Sequence, residues 1–257
     1  MNIIDSPLYY IKNLILHTPF HYGYYLHLQK FQDKSYDFES DKHPIRKKHY
    51  GNHGWKKRTD GEFRYRDYSS YDEYVTHQSE KFTELLKLSG GFSNRTILQY
   101  RAIFHRRFRF IPGLLPKSAL ILCLGARQGT EVEVLRYLGF KNALGIDLNP
   151  GPDNPLVRRG DFMALDYADH SVDMIYSNCV DHAFDLNKFF QEHARVLKPN
   201  GFALYDITIQ STSGGGGSFE ALEWKSEEAV FLTALKHFHK VLKVETEIAW
   251  KWLLLQK

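Results

Sequence analysis

The sequence predicts an α/β protein in which helices flank a doubly wound, mostly parallel sheet. Two observations carry this. From Ser118 onward, short apolar runs of strand length alternate with segments of helical period, the pattern of strand–helix–strand crossovers. The first run, ALILCLG at 119–125, is continuously apolar and too short for an ordinary helix, as expected of a strand covered on both faces.

Taken in order, residues 1–70 show no sustained period. Gly, Asp, Ser and Pro are scattered among tyrosines and lysines, which reads as an irregular segment with one short helix at 7–16. Residues 71–89 set Tyr71, Tyr74, Val75, Phe82, Leu85 and Leu86 near a helical period. A second helix follows GGFSN, with Ile97, Tyr100, Phe104, Phe108 and Ile111 on one stripe. Its other face presents Arg101, His105 and Arg109 four apart, to solvent or to an anion. Pro112 and Pro116 lack the donor a helix needs and end this part. After the first strand come a helix from Thr130 to Leu138, strands ALGID, LVRRGDF and VDMIYSN, a helix at 185–197 and strand GFALYDI. Beyond the glycine run 214–217, a helix near 225–239 precedes VLKVETEIA and KWLLLQK, which suit an antiparallel hairpin at the sheet edge.

A chain of 257 residues accommodates one full α/β domain plus an extension. The division expected is 1–110, a basic, aromatic-rich extension with cap helices, and 111–257, the sheet domain. Residues 1–110 hold 19 Lys/Arg against 12 Asp/Glu, whereas 111–257 hold 15 against 18, so an anionic partner would meet the first part first. Cys123 and Cys179 both sit in apolar runs. That predicts reduced core cysteines in a cytoplasmic protein and argues against a disulfide framework or a cysteine metal site. Asp5 and Lys12 interrupt the apolar N-terminus, which speaks against a secretory signal, and no run is long enough to span a bilayer. Peripheral membrane contact of the aromatic patch at 8–28 stays open.

In an open parallel sheet, ligands bind beyond the carboxyl ends of the central strands. The loop there, GARQGTE from Gly125, fails the dinucleotide fingerprint, because Arg127 and Thr130 stand where the second and third glycines belong. It resembles instead the first motif of the class I S-adenosylmethionine-dependent methyltransferases, with Gly125 and Gly129 as two of that motif's glycines. ALGIDLNP resembles the second motif, VRRGDF the third, SNCVDH the S-N-x-x-E-H segment, and RVLKPNG the R-x-L-K-P-G-G turn. The likeness covers roughly residues 117–210, over a third of the chain.

The resemblance implies a Rossmann-like sheet of seven strands and S-adenosyl-L-methionine as cofactor; no metal is expected, because His105 and the histidines between 43 and 53 are spaced too irregularly for a metal site. It assigns Gly125, Gly129 and Asn178 to the cofactor, Asp147 to both ribose hydroxyls, Leu148 and the backbone of Phe162 to the adenine ring, and Asp161 to the adenine amino group. An ionised carboxylate accepts only, which suits two ribose donors facing Asp147. Departures from the motif are Cys123 and Leu124 in place of an acid before Gly125, and Glu131 in place of a glycine. Arg127 and Glu131 either pair with each other or contact the methionine carboxylate and ammonium. For catalysis, in-line approach to an already activated methyl does most of the work, and a hydroxyl acceptor gains from a base. His182 is the best-placed candidate, with Asp181 as base or as its orienting group, and Asp206 a weaker one.

The favoured function is O-methylation of a small molecule or glycan. Two alternatives stay open: an RNA methyltransferase using the basic segment, against which stands the absence of an N-P-P-Y tetrapeptide, and a noncatalytic protein that kept the fold. The acceptor and the oligomeric state are not legible.

Overall fold

The computed structural model describes residues 57–89, 94–208, 219–247 and 250–257. The helix expected at 7–16, the aromatic patch at 8–28 and the glycine run 214–217 lie outside these, as do the side chains of Phe82, Leu85 and Leu86.

Its centre is a seven-stranded sheet. β3 (Ile121–Leu124), β4 (Ala143–Asp147), β5 (Val157–Arg159), β6 (Val172–Ser177) and β7 (Leu197–Thr208) are joined by β9 (Lys240–Glu247) and β10 (Trp250–Gln256), in the order β5-β4-β3-β6-β7-β10-β9. The first five are mutually parallel; β10 runs antiparallel to both β7 and β9. The edge hairpin and the doubly wound, Rossmann-like order are therefore as expected. All four residues of β3 are buried, which is why that strand reads as an unbroken apolar run.

Side chains alternate across the sheet and so build two cores. Leu122, Leu124, Ile175, Ala203 and Tyr205 pack on one face beneath α4 (Leu186–Val196) and α5 (Glu227–Ala234). Ile121, Cys123, Met174, Tyr176 and Leu204 pack on the other with Phe104 and Phe108 of α2 (Asn94–Phe108) and Val132, Val134 and Leu135 of α3 (Thr130–Tyr137). The stripe on α2 is thus core. Arg101 on its far side pairs with Glu133 of α3 at 2.7 Å, so that cation serves helix packing. Asp185 caps α4 by accepting the backbone N–H of Lys188 at 2.9 Å.

Two expectations needed correction. Within 1–70, the stretch 57–66 is ordered as a hairpin, β1 (Lys57–Asp60) with β2 (Phe63–Arg66), around a Gly61–Glu62 turn in which Gly61 has φ 57°. β2 also pairs with β8 (Leu222–Trp224), far along the chain, to complete a three-stranded sheet. The charged residues of KRTDGEFRYR mask the strand signal, while Phe63 and Tyr65 pack on the first core. The helix expected at 225–239 spans only Glu227–Ala234, capped by Ser226, whose side chain accepts from the N–H of Ala229.

α1 (Tyr71–Ser89) brings the N-terminal part to the carboxyl end of the large sheet. Tyr74 is completely buried there, and its hydroxyl donates to the carbonyl of His182 at 3.0 Å.

Candidate active site

Strand register assembles the site. Leu124 lies opposite Ile146 on one side and Ser177 on the other, so the next residues, Gly125, Asp147 and Asn178, emerge together at the carboxyl edge. Gly125 has φ 71°, and a Cβ there would stand 2.5 Å from Cys179 Sγ; only glycine lets the loop pass this close. Gly129 has φ 80°, and a Cβ would meet Leu156 at 2.8 Å and Val157 at 2.9 Å, so it seats the loop against the approach to β5.

Asp147 ties that loop down. Its Oδ2 accepts the N–H of Arg127 at 2.9 Å and its Oδ1 the N–H of Asn149 at 2.8 Å. A carboxylate has about four lone-pair sites, so two remain for a ligand.

A cavity of about 470 Å³, counted out to open solvent, lies over these strand ends. Gly125, Arg127, Asp147, Leu148 and Phe162 form one side of its lining; Cys179 and His182 come from beyond β6, and Tyr74, Gln78 and Lys81 from α1. Of the residues expected at the cofactor, Gly125, Arg127, Asp147, Leu148 and Phe162 are therefore gathered round one space. Gly129 and Asn178 support the loop and strand end next to it. Asp161 is held from two sides: Oδ1 accepts the N–H of Met163 at 2.7 Å, and Oδ2 accepts the Tyr71 hydroxyl at 2.5 Å. Glu131 is buried in the first turn of α3, where loss of solvent pushes its carboxyl up to about 8 against the pull of Arg127.

Across the cavity, His182 is buried in a 3₁₀ turn, Val180–His182. Its Nδ1 lies 2.8 Å from the carbonyl oxygen of Phe219 and 3.0 Å from Gln78 Oε1. A carbonyl only accepts, so the imidazole proton sits on Nδ1. Its Nε2 then accepts from Lys81 Nζ at 2.7 Å. Burial, reinforced by Lys81 and Arg127, holds the imidazole neutral, well below its ordinary range. Asp181 Oδ1 lies 3.8 Å from the same Nε2, and burial with Glu220 pushes its carboxyl up to about 7. Asp206 stands elsewhere: it is almost wholly buried, ion-paired with Arg107, and accepts the Tyr176 hydroxyl at 2.7 Å. That removes it from the catalytic candidates. Among the described residues no cluster of His, Cys, Asp and Glu suits a metal ion, and no helix is long and apolar enough to cross a membrane.

Residues 122–205, spanning β3 to β7, match the methyltransferase domain family. That segment is a methyltransferase domain, and its fold is the one shared by class I S-adenosylmethionine-dependent methyltransferases. Solved structures of such methyltransferases share the fold. One, the 1,6-didemethyltoxoflavin-N1-methyltransferase of Burkholderia thailandensis with bound 1,6-didemethyltoxoflavin and S-adenosylhomocysteine, is 15% identical at a TM-score of 0.57, over 78% of this chain and 98% of that one. Another, the methyltransferase in complex with the Trm112 activator from Haloferax volcanii, is 16% identical at 0.52, over 73% and 99%. A Thermotoga maritima methyltransferase is 16% identical at 0.52, over 71% and 99%. The domain match supports S-adenosylmethionine as the cofactor.

Reading the sequence missed Gln78 and Lys81. They follow Tyr74 at four and seven residues, so all three share one helix face, but a search for apolar period passes over polar members.

Proposed function

We propose that this protein transfers a methyl group to a hydroxyl oxygen of a small molecule or glycan, and that α1 forms the acceptor-side cover. The observation that carries this is the shared cavity: the glycine loop and Asp147 form one wall, and the polar groups of α1 and the turn after β6 form the other.

The residues present fit the cofactor. Gly125 offers backbone alone to the cavity, because Cys179 Sγ takes up the place of its missing Cβ. Asp147 keeps lone pairs for two ribose hydroxyls, and Leu148 and Phe162 offer apolar surface for the adenine ring. Arg127 supplies a cation for the methionine carboxylate. Asp161 is open to the adenine amino group through the acceptor capacity that Tyr71 and Met163 leave. The bound cofactor supplies an electrophilic methyl on sulfonium. The protein's share is to place the acceptor oxygen in line with it, exclude water and hold the departing proton. Asp181 and His182 stand at the acceptor end, where His182 orients polar groups through both ring nitrogens.

Calorimetric titration with S-adenosylmethionine and S-adenosylhomocysteine tests this. Wild type should bind both in the micromolar range, and Asp147→Ala should lose at least about tenfold, some 1.4 kcal/mol, in affinity. A folded wild type that binds neither would identify a noncatalytic relative.

A further inference from the structure

We propose that Lys81 is the base that takes the acceptor's proton, with His182 holding it in position. This rests on the reading of the cavity as a methyl-transfer site.

The argument starts from the tautomer of His182. With its one proton directed from Nδ1 to Phe219 and Gln78, the imidazole has a single lone pair, at Nε2, and Lys81 Nζ already occupies it at 2.7 Å. His182 cannot accept the acceptor's proton there without expelling Lys81. Lys81 itself lines the cavity, at the level where α1 faces the strand ends. As a free amine it donates one N–H to His182 Nε2 and retains a lone pair of its own, unlike an ammonium, which has none.

The surroundings bear on which form is present. Facing Lys81 are Arg127 from the loop after β3, Cys179 and Asp181 with His182 from beyond β6, and Glu220 from the segment before β8. Burial is the largest influence and Arg127 adds to it; Cys179, Asp181 and Glu220 oppose, and the outcome is an amine lowered to about 8. A base poised near neutral pH is what proton removal from a hydroxyl requires.

The step balances without any further reactant. The acceptor oxygen forms its bond to the methyl carbon with a lone pair, the carbon–sulfur bond breaks with its electron pair returning to sulfur, and the hydroxyl proton passes to the Lys81 lone pair. The ammonium that results keeps its hydrogen bond to His182 Nε2, and the charges of Asp181 and Glu220 stabilise it until the proton leaves to solvent.

The full chain labelled with 13C at lysine Cε allows the Lys81 amine to be titrated by NMR without ligand, its signal assigned by its absence from Lys81→Arg. A midpoint at or below about 9 is expected, against about 10.4 for an unperturbed lysine. A midpoint above 9 overturns the proposal. In parallel, Lys81→Met is titrated with S-adenosylhomocysteine by calorimetry after circular dichroism has confirmed its fold. Affinity within tenfold of wild type is expected of a residue acting on the acceptor. A larger loss would make Lys81 a cofactor contact and overturn the proposal too. A wild type that binds no S-adenosylhomocysteine defeats the reading of the cavity, whereas the titration of the unliganded protein judges Lys81 alone.

Discussion

Gly125 shows how much one residue's freedom carries. Its positive φ disfavours any side chain, and Cys179 Sγ fills the space a Cβ would need. Gly125→Ala should destabilise by about 2–4 kcal/mol, combining left-handed backbone strain with overpacking. Cys179→Ala in that background removes the overlap and leaves the strain, so urea unfolding should recover part of the loss and not all of it. Asp147 is legible in sequence as the acid ending a strand. That it also accepts two backbone N–H groups is visible only in the fold, because Arg127 lies 20 residues away along the chain. Asp147→Ala should therefore cost stability as well, about 1–3 kcal/mol for the amides left without their acceptor.

At the scale of elements, α2 is anchored to the sheet by more than its apolar stripe. Arg107 and Asp206 form an ion pair that is buried on both sides, with the guanidinium 5.1 Å from the centre of the Trp252 ring and Tyr176 donating to the same carboxylate. Breaking a buried pair leaves an uncompensated charge, so Arg107→Met alone should cost about 3–5 kcal/mol. The double variant Arg107→Met with Asp206→Leu should recover at least half of that in thermal and urea unfolding, since the orphaned carboxylate is gone. In sequence Arg107 stands among several basic residues on a helix, and Asp206 reads as a weak catalytic candidate near a strand end. Their burial depends on which face of β7 meets which helix, and no local period carries that.

For the whole molecule, stability against pH reflects buried groups with opposed signs. His193 joins α4 to β7 and to the turn after β5: Nδ1 accepts from the Tyr205 hydroxyl at 3.0 Å, and Nε2 donates to the Phe162 carbonyl at 3.2 Å. Burial lowers it to about 3. Between about pH 6.5 and 3 the unfolded chain binds a proton that the folded one refuses, so this contribution to stability falls as pH falls. Glu131, raised to about 8, has the reverse sign. The folded state keeps its proton where the unfolded chain has released it, so stability falls as pH rises from about 4.5 to 8. Denaturant unfolding at several pH values separates the two. The stability gap between wild type and His193→Gln should narrow from pH 7 to pH 5, while Glu131→Gln should gain on wild type from pH 5 to pH 8.

The sequence by itself determined the alternation of strands and helices and the antiparallel edge, and its motifs between 117 and 210 carry the resemblance that implies the cofactor. Each strand, helix and motif is written within a window of some ten to twenty residues, as burial on one or both faces or as a short run of fixed spacing. Tertiary structure alone decided that the hairpin at 57–66 completes a sheet with Leu222–Trp224, and that Tyr74, Gln78 and Lys81 meet His182 across a cavity. The physical reason is common to both. Partners separated by a hundred residues or more are chosen by which surfaces are left to bury and which polar groups are left to satisfy once the large sheet has formed, and neither is encoded in a local repeat.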